Sequence, residues 1–193
     1  MDAELITRLN TLWKPIYPYL ARWIENWTPR EIGHILEIGP FSGGIVHALL
    51  ADRPTLQGLI ALSETNAAKT IKDSFGPPCP VLLSPLTQLP LLPTLDLVVC
   101  RGAFFFLTPE ILKESYRILK PGGHALLGGG YGPDTPWDLI SPIAAESKDL
   151  NERLGKKRLS RASLEKMVTE AGLINQSTFV EEGGLWVLIS SKR

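Results

Sequence analysis

Cysteine and histidine are scarce in this chain: its 193 residues include only two cysteines and three histidines. Cys79 lies in a proline-rich stretch and Cys100 ends an apolar run, too little for a disulfide framework, so both read as reduced thiols of a cytoplasmic protein. His34, His47 and His124 keep no metal-like spacing with one another or with the cysteines, and no metal site is expected. An excess of one charge is also missing. The 20 basic and 20 acidic side chains cancel, which argues against a nucleic-acid footprint. No apolar run approaches the roughly 20 residues that a membrane span requires. The start, Met1-Asp2-Ala3-Glu4, is acidic and lacks the basic and apolar regions of a signal peptide. No P-loop is present, and Ser42, in Gly-Pro-Phe-Ser-Gly-Gly, lacks the G-x-S-x-G pattern of a nucleophile elbow.

Ordinary globular values remain, with 44% hydrophobic and 21% charged residues, enough for one domain with a sizeable core. The chain is organised around Ile35-Leu36-Glu37-Ile38-Gly39-Pro40-Phe41-Ser42-Gly43-Gly44. An apolar strand, Ile35 to Ile38, runs into a glycine turn and opens a helix from about Gly44 to Ala51. Such a turn aims backbone N–H groups and a helix N-terminus at one spot, ready for a polar or anionic ligand. The spacing is Glu-x-Gly-x-x-x-Gly. A dinucleotide fold needs G-x-G-x-x-G, and Phe41 stands where its second glycine belongs.

Apolar residues at helical spacing from Ala3 to Trp27 predict helix, split in two by Pro15 and Pro18, within an N-terminal segment of residues 1–30. The aromatic residues Trp13, Tyr17, Tyr19, Trp23 and Trp27 read chiefly as packing. Leu56 to Leu62 is a continuous apolar run, as in a buried parallel strand, and Ser63 is placed to cap a helix through Phe75. Gly76-Pro77-Pro78-Cys79-Pro80 breaks the chain before a strand from Val81 to Ser84. Leu95 to Cys100 is the next strand. Thr108-Pro109-Glu110 reads as cap, first-turn proline and acid of a helix to Leu119. Lys120-Pro121-Gly122-Gly123 ends that helix, His124 to Leu127 is a strand, and Gly128 to Gly132 a loop. Lys148 to Arg158 reads as a solvated helix and turn, and Ser160 to Ala171 as a helix ended by Gly172. Ile174 to Glu181 and Leu185 to Ser190, joined through Gly183-Gly184, form a hairpin. The alternation predicts an α/β fold: a Rossmann-like, seven-stranded, mostly parallel sheet with helices on both faces and a C-terminal antiparallel hairpin.

The glycine turn resembles the first motif of class I S-adenosylmethionine-dependent methyltransferases, roughly (D/E)-x-G-x-G-x-G. Glu37, Gly39 and Gly43 match it and Phe41 replaces the middle glycine. Leu95-Asp96-Leu97-Val98-Val99-Cys100-Arg101-Gly102-Ala103 resembles the strand 4 motif of a small single-domain subgroup that reads D-x-I-V-S-R-G-S. Tyr116-Arg117-Ile118-Leu119-Lys120-Pro121-Gly122-Gly123 is similar to its R-x-L-K-P-G-G turn, and Gly128-Gly129-Gly130-Tyr131-Gly132 to its G-G-G-F-G. Lys14-Pro15-Ile16-Tyr17-Pro18 and Gly184 to Ser190 resemble its two ends.

The resemblance implies a single methyltransferase domain over residues 1–193 and S-adenosylmethionine as cofactor. The implied cofactor-binding residues are Glu37, Gly39, Phe41, Gly43, Leu62, Ser63, Glu64, Arg101 and Gly102. Tyr17, Tyr131 and Trp137 are assigned to the acceptor side, and no catalytic residue is assigned. The departures fall on the cofactor contacts. Ala61 stands where an acid usually grips the ribose, with Glu64 placed to substitute, and Ser84-Pro85 stands where an acid usually meets the adenine. Two lost charge-assisted hydrogen bonds, at roughly 1.5–3 kcal/mol each, imply a dissociation constant poorer than about 100 μM, roughly −5.5 kcal/mol. Two functions are consistent with this: a methyltransferase acting on a small molecule, or a methyltransferase fold with a degenerate cofactor site that binds or regulates without catalysis.

Overall fold

A computed structural model describes residues 1–27, 33–76 and 79–192. The end of the expected N-terminal segment (28–30) and Pro77-Pro78 lie outside the described residues.

Two helices come first, α1 (Ala3–Leu12) and α2 (Tyr17–Glu25). Asp2 caps α1, its Oδ1 accepting from the N–H groups of Glu4 and Leu5, and Pro18 sits in the first turn of α2. The expected split at Pro15 and Pro18 is therefore observed. β1 (His34–Ile38), α3 (Gly44–Asp52), β2 (Gln57–Leu62), α4 (Thr65–Phe75) and β3 (Val81–Leu83) follow, then β4 (Leu95–Arg101), α5 (Pro109–Arg117) and β5 (Leu119–Gly130). The chain closes with α6 (Trp137–Arg153), α7 (Arg161–Glu170), β6 (Ser177–Val180) and β7 (Gly184–Ser190).

The seven strands form one sheet in the order β3-β2-β1-β4-β5-β7-β6. β1 pairs in parallel with β2 and β4, and β7 runs antiparallel to both β5 and β6. β1 is thus interior, at the point where strand order reverses and ligands bind in such sheets. The side chains of Ile35, Leu97 and Trp186 pack on one face with α1 to α4, while Leu36, Val98 and Val187 pack on the other with α5 and α7. Helices cover both faces, as the alternation of elements predicts.

Several local expectations are corrected. Ser63 is not a cap; Glu64 holds that position and makes no capping bond through its side chain. β2 is exposed at Gln57, half-buried at Gly58 and Leu59, and buried only from Ile60. β5 is much longer than His124 to Leu127, and Gly128 to Gly130 belong to it. The reason is close approach: a Cβ on Gly128 would collide with the Leu185 carbonyl, and one on Gly130 with Gly183 and Gly184 of the neighbouring strand. Those glycines are there for contact between strands, not for loop freedom. Ile174–Gln176 is a 3-10 turn, so β6 begins only at Ser177. The 17-residue α6 contains Pro142, which concealed its first three turns, up to Ser147, from a periodicity reading.

Candidate active site

Three strands deliver their carboxyl ends to one crevice. After β1, Gly39 and Gly43 adopt positive φ of 97° and 109°, a backbone that side chains resist, and the chain turns into α3. Glu37, fully buried on β1, reaches under this turn: its Oε2 accepts from the N–H groups of Gly43 and Val46, both at 2.9 Å. Its other oxygen, Oε1, is buried without a partner among the described residues. Burial pushes the Glu37 carboxyl up to about 7, against the pull of the Val46 and Gly43 N–H groups and of Arg101.

Arg101, the last residue of β4, emerges on the same face, and its Nη2 donates to Asn10 Oδ1 (2.7 Å), the Tyr17 hydroxyl (2.7 Å) and the Phe41 carbonyl (3.4 Å). Its guanidinium lies 4.5 Å over the Trp13 ring, 5.2 Å over Tyr17 and 5.4 Å over Phe41. It makes no ion pair among the described residues, and its Nε is buried with no acceptor. A buried cation held only by neutral acceptors and aromatic faces is costly, and it keeps capacity for an anionic partner.

Phe41 resolves one open question of the motif. Its ring is fully buried, tilted against Phe105 with centroids 4.6 Å apart. It occupies the space over Gly102, where a Cβ would come within 2.6 Å of the ring. The turn has been repacked around it. Gly102 (φ 68°) then starts a 3-10 turn, Ala103–Phe105, which separates two hollows: Phe104 lines one and Phe106 the other.

The smaller hollow, about 280 Å³, is bordered by Pro40, Leu62, Ser63, Glu64 and Phe106. Glu64 Oε2 also accepts from the Met1 amino group at 3.3 Å. The opposite wall is Pro85 to Thr87, held by Glu114 and Arg117, to which the sequence reading gives no part in the site. Glu114 accepts from the Leu89 N–H, while Arg117 donates to Glu114 and to the Leu89 and Leu91 carbonyls. The Arg117 bond holds the Glu114 carboxyl below its usual range despite burial. The i, i+3 spacing of Glu114 and Arg117 was the available signal.

The larger hollow, about 520 Å³, lies beyond Phe104 against Trp13, Tyr131 and the C-terminal part of α6. Trp13 and Tyr131 stack at 4.6 Å, and the indole N–H of Trp13 donates to the Ser147 hydroxyl. Of the three residues assigned to the acceptor side, only Tyr131 borders this space. Tyr17 is buried behind Arg101 and borders a separate hollow of about 480 Å³ with His47. Trp137 opens α6 and is 73% exposed. Elsewhere, burial pushes the Cys79 thiol up to about 12 and Cys100 higher still, so neither is a thiolate nucleophile at neutral pH. The described residues contain no metal-like cluster.

Residues 36–127 match the family model described as a methyltransferase domain. An uncharacterized methyltransferase of Schizosaccharomyces pombe is 31% identical over 130 residues, 64% of this chain and 51% of that protein. The chain therefore spans about half the length of the curated relative it matches. A Methanococcus maripaludis protein provisionally described as an S-adenosylmethionine-dependent methyltransferase superposes with a TM-score of 0.77 at 23% identity, covering 99% of this chain and 92% of its own. Human N-acetylserotonin methyltransferase, solved with S-adenosylmethionine, gives a TM-score of 0.66 at 14% identity over 100% of this chain and 57% of its own. Fold, motif and family model point the same way: residues 36–127, just under half of the chain, match a methyltransferase domain, and the whole chain takes the fold of the methyltransferase structures it superposes on.

Proposed function

We propose that this single domain is a cytoplasmic S-adenosylmethionine-dependent methyltransferase whose acceptor is a small molecule. The observation that carries the reading is the pair of orphaned polar atoms at the ends of adjacent strands. Among the described residues Glu37 Oε1 lacks a donor and Arg101 Nε lacks an acceptor, and an α-amino acid offers an ammonium for the first and a carboxylate for the second. Glu64 and Ser63, at the end of β2 beside Pro40, supply acceptors for a ribose. Leu62, Pro85 and Phe106 supply apolar walls for a base. The donor set thus fits the family's cofactor, with Glu64 in place of an acid at Ala61.

When bound, S-adenosylmethionine supplies an electrophilic methyl group on a sulfonium. The chain's task is then alignment and exclusion of water, with a base needed only if the acceptor must lose a proton. Phe104, Trp13 and Tyr131 serve that purpose from the side of the larger hollow. Among the described residues no helix is long and apolar enough to cross a membrane, in keeping with a cytoplasmic protein.

The alternative, a fold that no longer uses the cofactor, is favoured by one observation: the Phe106 ring lies against Gly39, where a Cβ would overlap it. Calorimetric titration with S-adenosylmethionine and S-adenosylhomocysteine separates the two. We expect saturable binding with a constant of about 100 μM or weaker. No heat of binding up to about 5 mM, roughly −3 kcal/mol, would overturn the enzyme reading.

A further inference from the structure

The larger hollow has a charge pattern that the cofactor site does not explain. Its inner walls are the side chains of Trp13, Phe104 and Tyr131. Its rim carries four cations, Lys148, Lys156, Lys157 and Arg158, against a single carboxylate, Glu152. Glu152 is committed to Arg158 at 3.6 Å. The other three ammonium groups form no ion pair or side-chain hydrogen bond among the described residues. In a chain whose net charge is zero, three unmatched cations around one cavity mark a local field of one sign.

The rim is also held in place. The N–H of Lys157 donates to the Phe104 carbonyl at 3.2 Å, fastening the segment after α6 to the 3-10 turn that follows β4. The N–H of Lys156 donates to the Asn151 carbonyl at 2.9 Å, and Gly155, at φ 79°, reverses the chain between them. Burial and the positive charge of Arg101 lower the Lys156 ammonium.

From this cavity we infer a binding site for an acceptor with an apolar or aromatic body and one carboxylate or phosphate group, held by Lys148, Lys156 and Lys157. The assignment of that ligand as the methyl acceptor rests on the methyltransferase reading; the anion site itself does not. A volume of about 520 Å³ lies within the range of small-molecule sites, and an apolar floor with few charged groups at the mouth orients such a ligand with its anion outward.

The test uses matched probes on the full chain: 2-naphthoate against its neutral methyl ester, and phenyl phosphate against phenol, by calorimetry at low salt. At least one anionic probe is expected to bind tenfold or more tightly than its neutral counterpart. Lys156→Met with Lys157→Met should abolish that preference, while the distant pair Lys69→Met with Lys166→Met should leave it intact. Equal binding of anionic and neutral probes, or a preference that survives Lys156→Met with Lys157→Met, overturns the inference. S-adenosylhomocysteine titrated into the same variants should keep its affinity within twofold. Anion preference without S-adenosylhomocysteine binding would remove the methyltransferase reading and leave the anion site. S-adenosylhomocysteine binding without anion preference would remove the anion site alone.

Discussion

Arg101 donates to the Tyr17 hydroxyl at 2.7 Å, joining the end of a central strand to the first turn of α2 across the mouth of the crevice. Tyr17 in turn donates to Asn10 Oδ1 at 3.2 Å, so the two acceptors remain satisfied by each other if the guanidinium is removed. Arg101→Met is therefore expected to change unfolding free energy by less than about 1 kcal/mol, because the lost bonds are offset by relief of an unpaired buried charge. The same substitution should weaken S-adenosylhomocysteine binding at least tenfold. Urea unfolding and calorimetry on one preparation check both halves.

Glu37 gives stability a sign with pH. Its folded carboxyl lies at about 7 against an ordinary 4.5, so between those values the folded state holds a proton that the unfolded state has lost. Stability then falls as pH rises through that window, by up to about 3 kcal/mol. Glu37→Gln should flatten the slope between pH 5 and pH 8. Asp96 acts in the opposite sense: burial raises its carboxyl, but Lys120 and the N–H groups of His34 and Gly33 bring it below the usual range. Its contribution is lost only as pH falls into the acid range, outside the Glu37 window. Thermal melts at stepped pH read both.

Phe41 acts as core. Truncation to Ala removes a buried ring between Phe105 and Arg101 and should cost about 3–5 kcal/mol, seen as a lower urea midpoint with unchanged slope. A variant as stable as the parent would show that the ring is not needed for packing.

Glu64 is 55% exposed at its side chain, caps α4 without a side-chain bond and pairs with the Met1 amino group only at the exposed surface, so it contributes little to stability. Glu64→Gln is expected to leave the melting temperature within about 1 °C and to weaken S-adenosylhomocysteine binding by about tenfold, roughly 1.4 kcal/mol. Unchanged affinity would remove Glu64 from the ribose site.

The strands were legible because their apolar runs are short and bounded by glycine or proline, and the Glu37 turn because its spacing forces one backbone path. What escaped detection depends on tertiary contact. Gly128 to Gly130 look like a loop until β7 presses against them. Trp137 looks like a substrate aromatic, yet it stands on the outer start of a helix that Pro142 disguises. The role of Tyr17 is set by Arg101, 84 residues away, a distance that no local pattern spans. The cationic rim lies in a stretch that reads as a solvated helix and turn, because Asp149 and Glu152 dilute its cations along the chain and only the Lys157 bond to Phe104 brings Lys156, Lys157 and Lys148 around one cavity.

β3 has a consequence for behaviour in concentrated solution. It is three residues long and forms one border of the sheet. The Ile60 N–H donates to the Pro80 carbonyl and the Ser84 N–H to the Leu62 carbonyl, so even-numbered residues face β2 and only Val81 and Leu83 turn their amides outward. Proline stands just before the strand and again at Pro85. An incoming strand would find two residues of ladder, closed after Leu83 by the ring of Pro85, which faces outward with the odd-numbered residues and cannot donate. With a net charge of zero, the molecule has little repulsion to keep copies apart. Its protection against fibrillar growth along that border comes from backbone chemistry instead.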